Sequence, residues 1–169
     1  MTIGEWLSIG QLKLSDAGVA NPRLDLLLMP ELSLQKNRAS ILANLDNGLS
    51  ETQQNKLDTV LEQRTLRKPM AYILGKKEFY GRQFIVNSSV LIPRPESEAF
   101  IDELKELKQN QNNLLDIGTG SGCLAITAKL EMPQLEVYAT DISEQAIETA
   151  KKNAKIHNAE VNFSTNDLF

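Results

Sequence analysis

The segment Asp116-Ile117-Gly118-Thr119-Gly120-Ser121-Gly122 constrains this chain more than any other. It grows out of the apolar run Asn113-Leu114-Leu115-Asp116-Ile117, which reads as a buried strand. It runs into Leu124 to Leu130, which reads as a helix that Met132-Pro133 ends. Glycines at every second position let the backbone turn sharply from strand to helix and let a ligand come close to it. The alternation then continues. Leu135 to Thr140 reads as a second strand, Ser143 to His157 as a helix capped by Ser143, and Glu160 to Ser164 as a third strand. Strands alternating with helices predict a parallel sheet with right-handed crossovers, an α/β fold of βαβαβ type over residues 93–169.

The residues around the loop describe a ligand. A helix starting after Gly122 offers free N–H groups and a positive dipole end, which suit a carboxylate or a phosphate. Asp141 falls at the end of the second strand, where a carboxylate can take both ribose hydroxyls of an adenosine. Dinucleotide binding by a dehydrogenase calls for Gly-x-Gly-x-x-Gly, and the third glycine of that pattern falls here on Cys123. The spacing is instead Gly-x-Gly-x-Gly, preceded by Asp116. That acid opposes a pyrophosphate and suits an ammonium group. S-adenosylmethionine carries both an ammonium and a carboxylate on its methionine tail. A methyltransferase is therefore preferred to a dehydrogenase, and both to a tight turn that binds nothing.

Residues 1–68 read as a small helical bundle. Ile3, Trp6, Leu7, Ile9 and Leu14 recur at helical spacing, and Gly18 ends that element. Asn21-Pro22 starts a second helix with Leu24, Leu27 and Leu28 as its stripe. Asn37 caps a short third, and Ser50 a longer one with Leu57, Val60, Leu61 and Leu66. The pattern changes at Pro69. Tyr72-Ile73-Leu74 and Phe84-Ile85-Val86 are strand-like around a turn at Gly81, so residues 69–92 read as a β-hairpin linker. Val90 to Glu96 is stiff and extended because each proline biases its predecessor away from helix. From Glu96 helical spacing returns, with Phe100, Ile101, Leu104 and Leu107.

Composition narrows the function. No run of eighteen apolar residues exists, so no membrane span is expected, and the first residues lack the basic region of a secretory signal. The single cysteine, Cys123, rules out an internal disulfide framework and fits the cytoplasm. Residues 93–169 carry thirteen acidic and seven basic side chains. That excess argues against a nucleic-acid partner, because the phosphate backbone is held by Lys and Arg. No Cys/His cluster has metal spacing, so no metal is expected.

Arg67-x-Pro69-x-Ala71-Tyr72-Ile73-Leu74-Gly75, Glu78-Phe79-Tyr80-Gly81 and Val90-Leu91-Ile92-Pro93-Arg94-Pro95-Glu96-Ser97-Glu98 resemble signature segments of the release factor protein-(glutamine-N5) methyltransferases. The resemblance is loose over residues 1–66 and close over 67–122. It implies a helical substrate-recognition domain, a hairpin linker and the first half of a class I, Rossmann-like methyltransferase domain. The implied activity is methylation of the glutamine in the Gly-Gly-Gln motif of peptide-chain release factors, with S-adenosylmethionine as cofactor. By the same resemblance Gly118 to Gly122 hold the methionine tail, Asp141 the ribose, and Asp167 with Leu168 the adenine, beside the Asp116 already read as a cofactor-binding acid. The family's Asn-Pro-Pro-Tyr motif, which holds the acceptor amide, does not occur in these 169 residues. The resemblance thus implies a truncated domain, inactive alone, whose first strand (residues 113–117) is an exposed edge prone to self-association.

Other readings stay open beside this one: a nucleic-acid amino-methyltransferase, and a non-catalytic module that binds cofactor or release factor. Arg94, between two prolines, either contacts substrate or pins the linker. Cys123 reads as packing, His157 and its neighbouring lysines as partners of a helix C-terminal dipole, and Trp6 as core.

Overall fold

The computed structural model describes residues 1–107 and 112–167 and divides into two units, Met1–Leu74 and Gly75–Phe169. The first is helical: α1 (Ile3–Asp16), α2 (Pro22–Leu34), α3 (Arg38–Leu42), α4 (Glu51–Thr65) and α5 (Met70–Leu74). Thr2 and Ser50 each open a helix with a reciprocal capping box, through Glu5 and Gln53. Asn37 caps α3 by accepting from the Ser40 N–H at 2.8 Å. Asn21 makes no such bond, so α2 starts on the fixed φ of Pro22 alone. Trp6, Leu14, Leu26, Met29, Leu57 and Leu61 form the core of this unit. Gly10 lets α1 close on α2, since a Cβ there would lie 2.6 Å from Leu26 Cδ2. The Trp6 indole donates to Asp58 Oδ1 at 2.7 Å, which fixes the ring as core. Not every residue of the expected apolar stripes lies in that core. Ile9, Leu24 and Leu66 are exposed, and α2 buries Leu26 and Met29 instead.

Tyr72-Ile73-Leu74 is helical, not a strand. The Tyr72 and Ile73 N–H groups both donate to the Pro69 carbonyl, and Gly75 at φ +70° ends the turn. A three-residue apolar run does not distinguish the two states by itself. The hairpin is therefore shorter than expected: β1 (Lys76–Phe79) pairs antiparallel with β2 (Arg82–Ile85). Tyr80 (φ +51°) and Gly81 (φ +71°) make its two-residue turn, the primed geometry that matches strand twist. The Tyr80 N–H donates to Glu98 Oε1 at 2.9 Å and its hydroxyl to Asp102 at 2.7 Å, so side chains hold the unusual φ in place.

After a 3-10 turn at Pro95–Ser97 come α6 (Glu98–Glu106), β3 (Asn113–Ile117), α7 (Cys123–Glu131), β4 (Glu136–Asp141), α8 (Glu144–His157) and β5 (Asn162–Thr165). The strands are parallel in the order β3-β4-β5. Leu114, Val137, Ala139 and Phe163 pack on one face with residues of α7 and α8. On β3 the expectation of a buried strand needs correcting. The run is not buried on both sides, because Leu115 is 57% and Ile117 53% exposed. Among the described residues β3 is an edge strand. No helix among them is long and apolar enough to cross a membrane.

Candidate functional site

Parallel pairing brings the carboxyl ends of the three strands to one edge. Ile117 sits beside Thr140, and Asp141 beside Thr165. The chain leaves β3 at Gly118 and reaches α7 at Cys123 by way of Gly118 (φ +75°), Gly120 (φ +56°) and Gly122 (φ +78°), all left-handed. The three glycines have different reasons. A Cβ on Gly122 would lie 2.9 Å from Ile126 Cδ1 and 3.0 Å from Ala150 Cβ, so this glycine is also a packing requirement. A Cβ on Gly118 would meet nothing within 4 Å, so the space over that residue is open. The Gly118 and Thr119 N–H groups both donate to the Thr140 carbonyl, at 2.8 and 3.0 Å, tying the loop to β4.

Two carboxylates organise the loop. Asp141 accepts from the Gly120 N–H through Oδ2 at 2.9 Å and from the Ser143 N–H through Oδ1 at 3.0 Å. Each oxygen keeps acceptor capacity for one more donor, which is what two neighbouring hydroxyls require. Asp116 accepts from the Thr119 hydroxyl at 2.7 Å. Burial pushes the Asp116 carboxyl above the usual carboxylate range. Bonds from the Thr119 hydroxyl and the Ala125 N–H draw it back, and the Asp141 charge adds to the rise. A cation placed against Asp116 relieves that cost.

The structure thus brings Asp116, Asp141 and the glycine loop together. Thr119 and Ser121 turn inward, at 6% and 2% exposure, so their hydroxyls are not presented at the surface of the loop. Asp167 lies two residues beyond β5, exposed, at the same edge as Asp141. Leu168 lies outside the described residues. Arg94 is exposed on the segment before α6 and makes no side-chain hydrogen bond or ion pair among the described residues. That segment reaches the loop further back, where a Cβ on Gly120 would lie 3.9 Å from the Leu91 nitrogen. Burial pushes the Cys123 thiol up to about 11, so it stays protonated and inert at neutral pH. Among the described residues no three His, Cys, Asp or Glu side chains are grouped as metal ligands.

Sequence reasoning missed Asn153. It is fully buried on α8 and donates to the Ser121 carbonyl at 2.8 Å, beneath the loop. Its signal was a polar residue between Ala150 and Ala154 on the inner stripe of an otherwise regular amphipathic helix.

Residues 5–75 match the model for the PrmC N-terminal domain, and residues 95–169 the model for the methyltransferase small domain. The chain is 38% identical to a release factor glutamine methyltransferase of Koribacter versatilis (strain Ellin345), over 99% of this chain and 61% of that protein. It is 36% identical to the release factor glutamine methyltransferase of Neisseria gonorrhoeae (strain ATCC 700825 / FA 1090), over 100% of this chain and 59% of that protein. It is 37% identical to a bifunctional methyltransferase of Rickettsia bellii (strain RML369-C), over 92% of this chain and 33% of that protein. The chain therefore spans between a third and about three fifths of the length of these relatives.

Proposed function

We propose, for a chain that belongs to the release factor glutamine methyltransferase family, that residues 93–169 bind S-adenosylmethionine in the service of glutamine N5-methylation. The observation that carries the reading is the pair of acids on one glycine loop. Asp141 grips the Gly120 N–H, and Asp116 sits half-buried beneath the same loop. In this reading Asp116 draws in the ammonium of the methionine tail, and Gly118 to Gly122 leave room for that tail. The first N–H groups of α7 face its carboxylate. Asp141 accepts the ribose hydroxyls, and Asp167 with Leu168 flanks the adenine. When bound, S-adenosylmethionine supplies a methyl group activated on a sulfonium.

The acceptor is the glutamine of the Gly-Gly-Gln motif in a peptide-chain release factor. Residues 1–68 recognise that protein beyond the target side chain, residues 69–92 serve as the linker with the hairpin at residues 76–85, and Arg94 stands where acceptor or linker contact is made. We place the reaction in the cytoplasm, with neither nucleic acid nor membrane as partner. An amide nitrogen is a weak nucleophile because its lone pair is delocalised, so it needs acceptors that orient it. The 169 residues contain no Asn-Pro-Pro-Tyr to supply them, and by themselves they bind cofactor without turnover.

Equilibrium dialysis with methyl-labelled S-adenosylmethionine, a release factor and transfer RNA tests this directly. The chain should retain label, and no label should enter protein or RNA. Labelled glutamine would refute the lack of turnover, labelled RNA would favour an amino-methyltransferase of nucleic acids, and no retained label would refute cofactor binding.

A further inference from the structure

Four side chains on α8 recur every fourth residue and face the hairpin strand and its exit at every second residue. His157 Nε2 lies 2.9 Å from the Gln83 carbonyl. Asn153 accepts from the Ile85 N–H at 2.7 Å and donates to the Ile85 carbonyl at 3.0 Å. Thr149 accepts from Asn87 Nδ2 at 3.1 Å, and Gln145 accepts from the Ser89 hydroxyl at 3.1 Å. The match is geometric. Four helical residues rise about 6 Å and two extended residues about 6.6 Å, so an antiparallel strand stays in step with one helix stripe over four rungs. The packing of His157 on Phe84, with centroids 4.8 Å apart, closes the end of the ladder.

One rung differs from the others. Asn153 also donates to the Ser121 carbonyl at 2.8 Å, so a single buried amide bonds the last residue of β2 and the glycine loop together. Among the described residues, Gln145, Thr149 and His157 have no such bond to the loop. We propose that Asn153 is a positioning residue that couples the seating of the hairpin on α8 to the shape of the Gly118–Gly122 loop. The coupling is reciprocal, as linkage requires: whatever orders the loop steadies β2, and whatever frees β2 loosens the loop. The loop it shapes is the proposed cofactor loop, and only the ligand arm of the test rests on that proposal.

Amide hydrogen exchange on the 169-residue chain decides it. Asn153→Ala should speed exchange of the Gly118, Thr119 and Gly122 amides and of the Ile85 amide by about ten-fold, the effect of a lost buried hydrogen bond. Thr149→Val should speed exchange around the hairpin exit and leave the loop amides within about two-fold of wild type. Loop amides unmoved by Asn153→Ala, or moved as far by Thr149→Val, would overturn the proposal. Should Asn153→Ala not fold, the wild type carries the test. Saturating S-adenosylhomocysteine should slow exchange at Ile85, which lies outside the candidate site. Binding without any change at Ile85 overturns the coupling. Absence of binding overturns the cofactor reading instead, and the same exchange comparison with Asn153→Ser then decides the coupling.

Discussion

At the scale of single residues, Asp116 carries a cost set by its burial. Its folded-state pKa is raised by burial. The ionised form therefore disfavours folding in full above the folded pKa, and the cost shrinks as pH falls from the folded pKa to the unfolded one, below which it is gone. Asp116→Asn removes the charge and keeps an acceptor for the Thr119 hydroxyl. It should leave thermal stability equal or slightly higher while weakening S-adenosylhomocysteine binding about ten- to a hundred-fold, the range for a charged hydrogen bond. In the wild type, affinity should fall as pH drops through that raised pKa, at a higher pH than the roughly 4 of an ordinary aspartate, and Asp116→Asn should flatten that part of the profile. Calorimetric titration across this range checks both. An unchanged profile in the variant would remove Asp116 from the site.

At the scale of elements, the loop and the helices beside it set different tolerances at glycines with the same φ. Gly118→Ala meets only the left-handed strain, about 1–2 kcal/mol, because its Cβ enters open space. Gly122→Ala adds the collision with Ile126 and Ala150, an overpacking cost of about 1–3 kcal/mol more. Thermal unfolding should rank wild type above Gly118→Ala above Gly122→Ala, and equal losses would contradict the packing role of Gly122. Most elements were legible because their signals are local. The glycine loop, the Ser50 and Ser143 caps and the alternation of strands with helices are written within a few residues. What escaped was not written in the spacing of apolar residues. Tyr72 to Leu74 turned helical around Pro69, and Thr119 and Ser121 point inward because the φ values of the glycines aim them there. Asn153 finds its partner in β2, 68 positions away, a pairing no local pattern announces.

At the scale of the molecule, two units meet different demands. The helical unit has a closed core around Trp6, Met29 and Leu57. The second leaves the β3 edge unpaired among the described residues, with Leu115 and Ile117 more than half exposed. Such an edge offers unpaired backbone and apolar side chains to another copy. Sedimentation velocity of the 169-residue chain should show association growing with concentration, and Leu115→Lys with Ile117→Lys should shift it toward monomer. A monodisperse monomer at every concentration would contradict this. Calorimetric titration of the chain and of Asp141→Ala with S-adenosylhomocysteine and with NAD tests whether the acids and glycines hold S-adenosylmethionine rather than a dinucleotide. Saturable one-to-one binding of S-adenosylhomocysteine, no heat from NAD, and loss of binding in a folded Asp141→Ala are expected. Preference for NAD, or undiminished binding by the variant, would contradict that reading.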